Sequence, residues 1–155
     1  MFVVYDKKEQ KILHKKPCLG ETYKKDPKFG IGLSFDDVFV IDRMIPISKD
    51  IVLIRETQRF FRERCIMYLY NARLDEVIYN LPPYKMNYRC DIFYRLSNGN
   101  IVLRFDLHYL EIWDFSLLQC NTKIFALEVS YVKELENRCL ALLSEGGVQI
   151  MNLKF

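Results

Sequence analysis

The side chains best suited to chemistry are few in this chain and poorly spaced for it. There are two histidines, His14 and His108. His108 stands near Asp106 and Asp114, which could supply a base and its orienting acid. A hydrolytic site also needs a nucleophile and oxyanion donors, so a turn histidine beside a turn aspartate is the simpler reading. Two isolated histidines and dispersed carboxylates lack the spacing of metal ligands. The five cysteines, at 18, 65, 90, 120 and 139, are odd in number and contain no C-x-x-C pair. That argues against a disulfide framework and against zinc. Asp36-Asp37 reads as a loop or solvated edge rather than an acid–base pair. Gly30-x-Gly32 and Gly146-Gly147 read as turn glycines, since neither a G-x-G-x-x-G nor a Walker-type loop occurs. The expectation is no catalytic site, no metal, no cofactor and no small-molecule substrate.

The sharper signals are surfaces. Arg55, Arg59, Arg62 and Arg64 surround Phe60-Phe61. Arginine and aromatic residues dominate protein-binding hot spots, and the same mixture can grip phosphate and stack bases. A solvated loop whose phenylalanines fold back onto the core is the plain alternative. These six residues are the candidate partner-binding set. Lys7, Lys8, Lys11, Lys15, Lys16, Lys24, Lys25 and Lys28 give residues 1–28 a balance of +4, against −1 for the remainder. Lysines of this kind usually protect edges and loops from pairing; the alternative is phosphate affinity.

The elements that would position these residues are strands. Half of the 155 residues are apolar and 14% are aromatic, with ten Tyr, eleven Phe and only six Gly. That composition excludes global disorder and favours β structure. No run of 18 apolar residues exists, so no membrane-spanning helix is expected. No signal peptide is visible, and unpaired cysteines suit a reducing compartment. An intracellular, cytoplasmic setting is therefore expected.

Short apolar runs recur. Ile51 to Ile54, Ile101 to Arg104 and Cys139 to Leu142 are each followed, after a polar loop, by a second run: Ile66 to Asn71, Leu110 to Asp114, Val148 to Leu153. A third run follows the first two copies, Val77 to Leu81 and Lys123 to Leu127. Ile92, Tyr94 and Leu96 alternate with polar residues before Ser97-Asn98-Gly99-Asn100, as in a half-buried strand entering a tight turn. Asn-Gly tolerates the positive φ of a two-residue hairpin. Phe2 to Asp6 and Ile12 to His14 match the last two strands of a unit. Residues 15–34 carry loop chemistry. Residues 55–64 are an insertion, either an extended hairpin tip or one or two helical turns. Trp113, at a strand end, is expected in the core. A strand repeat of this length predicts stacked or radially arranged sheets.

The second unit resembles a WD40-type propeller blade. Leu96 to Val102 supplies the first hairpin, and Leu110-Glu111-Ile112-Trp113-Asp114 the third strand with its Trp-Asp ending. Ser144 to Leu153 looks like the same segment with Met-Asn at its end, and Tyr70-Asn71 and Tyr5-Asp6 occupy equivalent points. No Gly-His pair precedes any unit, so the family's buried hydrogen-bond tetrad is not carried over. Other propellers share the four-stranded meander.

The resulting expectation is one all-β domain, 1–155, of tandem four-stranded antiparallel meanders of β-propeller type. It comprises a partial blade 1–14, a basic loop 15–34, blades 35–83 and 84–127, and a partial blade 128–155. Thirteen strands make an incomplete ring, because propellers close with about four to eight blades. Open edges and an exposed apolar blade face would follow. A non-catalytic protein-interaction module or scaffold subunit fits best, through a protein partner or self-association. The alternatives are a nucleic-acid-binding protein using its Lys/Arg-rich loops, or a degenerate propeller remnant.

Overall fold

The computed structural model describes residues 2–16, 18–19, 38–58, 65–81, 90–105, 109–125 and 128–153. Thirteen strands lie among them, every pairing antiparallel, in sheets of two, four, four and three strands. This is the grouping the apolar repeat demands. The chain divides into two compact units, residues 1–88 and 89–155.

The first unit holds the hairpin β1 (Phe2–Asp6) and β2 (Lys11–Lys16). It also holds a meander of β3 (Phe39–Pro46), β4 (Ile51–Gln58), β5 (Cys65–Asn71) and β6 (Glu76–Asn80). Phe39, Ile54, Ile66, Tyr68 and Tyr70 form one apolar face, covered by Cys18 and Leu19. Leu53, Met67 and Leu69, which point to the opposite face, are also buried. Both faces of β4 and β5 are thus removed from water, which explains their nearly unbroken apolar runs.

The second unit holds a meander of β7 (Cys90–Arg95), β8 (Ile101–Phe105), β9 (Tyr109–Asp114) and β10 (Gln119–Phe125). A three-stranded meander follows: β11 (Tyr131–Leu135), β12 (Cys139–Ser144) and β13 (Gly147–Asn152). The two sheets pack face to face. Val102, Leu110, Ile112 and Ile124 of the first meet Val132, Leu140 and Leu142 of the second. Polar bonds pin the contact at its rim. The Ser97 amide and hydroxyl donate to the Glu134 carboxylate at 2.6 and 2.8 Å, and Arg104 donates to the Val129 carbonyl at 3.0 Å.

The repeat extends into backbone detail. β1, β5, β9 and β13 all end on Asp or Asn: Asp6, Asn71, Asp114 and Asn152. After the first three comes a four-residue turn whose last residue has positive φ, namely Gln10 (51°), Asp75 (58°) and Leu118 (53°). The following strand then carries a bulge at the same step. Asp6 faces Lys11 and Tyr5 faces Ile12, then Leu13 is skipped. Ile78 and Asn121 are skipped in the same way after Val77 and Cys120. The carboxylate or amide at the strand end organises the turn. Asn71 accepts from the Arg73 and Leu74 amides, each at 3.0 Å. Asp114 accepts from the Ser116 and Leu117 amides at 2.9 and 3.2 Å. Asp and Asn are turn residues for this reason.

Several expectations are corrected. The 97–100 turn is a three-residue loop closed by Leu96 and Asn100, and positive φ falls on Gly99 (91°) and not on Asn98. A two-residue type I′ turn would need it at both central positions. The strand expected from Lys123 begins at Gln119. Residues 55–58 continue β4, and Thr57 still faces Cys65 across β4 and β5; residues 59–64 of the insertion lie outside the described residues.

Candidate functional site

Of the six residues expected to bind a partner, Arg55 is described, and Arg59, Phe60, Phe61, Arg62 and Arg64 lie outside the described residues. Arg55 is 7% exposed. It sits in β4 with its guanidinium 3.5 Å from the Asp42 carboxylate of the neighbouring strand. Arg104 forms the corresponding pair in the second meander, 2.8 Å from Asp91. Both arginines join strands of their own sheet. His108 and Asp106 lie outside the described residues, while His14 falls within β2.

Two buried carboxylates went unnoticed in the sequence, where each looks like one polar residue within a strand. Glu56 accepts from the Tyr68 hydroxyl at 2.5 Å and the Leu19 amide at 2.6 Å. Glu111 accepts from the Tyr109 hydroxyl and the Trp113 indole, both at 2.6 Å, with the Lys123 ammonium 3.7 Å away. These donors compensate the cost of burying a charge. Trp113 is in the core as expected, stacked on Phe115 with ring centres 5.5 Å apart. Tyr70, its counterpart in the first meander, donates instead to Asp75. Burial, reinforced by that bond, pushes the Tyr70 phenol well above its ordinary pKa.

Among the described residues, no set of three or more His, Cys, Asp or Glu is placed to hold a metal ion. Of the described cysteines, Cys18 and Cys65 are buried and Cys120 and Cys139 half-buried. A cavity of about 390 Å³ is lined by Ser97, Asn98, Glu134, Arg138 and Leu153. Its carboxylate, Glu134, is already held by Ser97.

The unusual surface is the outer face of β11–β12–β13. Residues paired across an antiparallel ladder share a face. Tyr131 pairs with Leu143 and Leu143 with Val148; Ala141 pairs with Ile150. Tyr131 is 56% exposed, Val148 65% and Ile150 66%, and Leu135 and Leu143 are exposed on the same side. Lys133 is the one charged residue whose place in the register puts it on this face. Among the described residues, the far edge of β13 pairs with no strand. An apolar face beside an open edge is what soluble proteins usually avoid.

The register gives this face a counterpart. With Asn152 set on Asp114, Ile150 matches Ile112, Val148 matches Leu110, Ala141 matches Val102 and Leu143 matches Arg104. In β7–β10 those positions form the side that packs onto β11–β13. The exposed face therefore occupies the positions that, one sheet earlier, hold the next sheet. Sequence reasoning anticipated an open terminal sheet; the residues that make its outer face apolar could have been read from this alignment of strand ends.

No protein-family model matches the chain. No curated protein matches it either.

Proposed function

We propose that this chain is a non-catalytic protein-interaction module built from β-propeller-type sheets, which binds through the outer face and free edge of β11–β13. The observation carrying this reading is the exposure of Val148 and Ile150 at positions whose equivalents one sheet earlier, Leu110 and Ile112, are core. The propeller assignment rests on the repeated third-strand ending, turn and bulge. Burying an apolar side chain of this size is worth about 1.5–3 kcal/mol, so a few such residues can drive association once covered. Five cysteines with no C-x-x-C pair suit a reducing, cytoplasmic setting. No helix among the described residues is long and apolar enough to cross a membrane.

The test is the native size of the tagged protein in extracts of cells expressing it. A particle well above the 18.6 kDa chain mass is expected. The Val148→Lys/Ile150→Lys variant should reduce it to the monomer while circular dichroism stays unchanged. A monomer-sized particle for the unsubstituted protein, or a complex untouched by the folded variant, contradicts the proposal. Binding that instead falls steeply with salt would favour a nucleic-acid partner.

A further inference from the structure

We infer that the occupant of the outer face of β11–β13 is the β1–β2 hairpin of a second copy of this chain, in a head-to-tail contact. This rests on the interaction reading above and names its partner. Each sheet of the repeat has two sides. In the second unit, one side of β7–β10, which carries Val102 and Ile112, receives the opposite kind of side from β11–β13, which carries Leu140 and Leu142. A surface equivalent to Val102 and Ile112 is thus fitted to take one equivalent to Leu140 and Leu142.

The β1–β2 hairpin presents a surface of the second kind. With Asp6 set on Asp114 and Asn152, Val3 matches Glu111 and Gln149, and Ile12 matches Cys120. Gln149 pairs with Leu142, so this is the side turned toward the preceding sheet. Val3 is 45% exposed and Ile12 50%. The chain therefore bares one surface of each kind.

Charge does not set this pairing: the exposed turn after β11 holds both Glu136 and Arg138, the outer face carries Lys133, and Lys15 shares the Val3 side of the hairpin. Arg104, which reaches across the inner contact to Val129, is replaced on the outer face by Leu143, so the outer contact needs no polar partner there. The face spans three strands about 4.8 Å apart and roughly 17 Å long. That is well short of the ~800 Å² per partner of a standard interface, so weak, concentration-dependent association is expected. A contact between unlike surfaces is heterologous, and this distinguishes it from edge-to-edge pairing of two β13 strands.

The test is sedimentation velocity of the purified full chain over a micromolar concentration series, with two folded variants. Val3→Lys/Ile12→Lys alters the head, and Val148→Lys/Ile150→Lys alters the tail; Tyr131→Glu is the substitute should the tail variant fail to fold. The unsubstituted chain should associate, each variant alone should be monomeric, and an equimolar mixture should regain a dimer. A dimer that survives the head substitutions but not the tail ones overturns the inference in favour of β13 edge pairing. A purified monomer at every concentration overturns it too. If cell extracts still show a complex sensitive to the tail substitutions, the module reading stands and only the self-partner falls.

Discussion

Asp114 shows how one atom can set a repeat. Its carboxylate accepts from the Ser116 hydroxyl at 2.5 Å and from two amides of the turn. The Ser116 hydroxyl is the chief reason its pKa lies below the ordinary carboxylate value, with the Leu117 and Ser116 amides adding to it. Asn71 does the same geometric work without charge. The consequence for pH follows from linkage. Because the folded carboxyl holds its proton less tightly than an unfolded one near 3.9, the unfolded chain takes up protons first as pH falls. The stabilisation is present above that value and is lost as pH drops toward the lowered folded pKa. Asp114→Asn should keep the turn and flatten the acid limb of a thermal-unfolding profile between about pH 5 and pH 3. An unchanged acid limb would mean the carboxylate is not the group responsible. Asp114 was legible in the sequence as a strand ending. Glu56 and Glu111 were not legible as buried groups, because their partners Tyr68, Tyr109 and Trp113 look like ordinary core residues until the strands are paired.

Strands and hairpins were legible where turn chemistry is strong, and less so where a strand is polar. Gly99 and Gly147, with φ of 91° and 111°, sit in the turn and strand start that Asn98-Gly99 and Gly146-Gly147 announce. β10 begins with Gln119, Cys120, Asn121 and Thr122 and is bulged at Asn121, so period-two alternation misses its first half. Residues 55–58 look like a charged loop, yet Arg55 is paired with Asp42 and Glu56 with Tyr68, which lets a polar stretch continue a buried strand. The four-residue turns supply an element-scale prediction. Leu118 holds φ 53° and is exposed. A left-handed conformation costs a non-glycine residue roughly 1–2 kcal/mol. Leu118→Gly should raise stability by somewhat less than that, since glycine also adds freedom to the unfolded chain. Chemical denaturation measures it; a loss of stability would show that Leu118 makes a contact worth more than the strain.

At the scale of the whole molecule, a short apolar repeat leaves surfaces that have been built for packing and are not packed. The outer face of β11–β13 has the positional pattern of a sheet interior and the exposure of a surface. Its side chains touch water at Tyr131, Val148 and Ile150, and among the described residues its last strand is paired along one edge only. Such a surface is costly for a chain to keep in isolation and useful for one that assembles. The most direct measurement is hydrogen–deuterium exchange on the native complex and on the same chain diluted until it dissociates. The account predicts that amides of Gly147–Asn152 gain protection in the complex, while those of Ile51–Gln58, already inside a closed ladder, stay as they are. Protection gained elsewhere with β13 unchanged, or no difference between the two states, would contradict it.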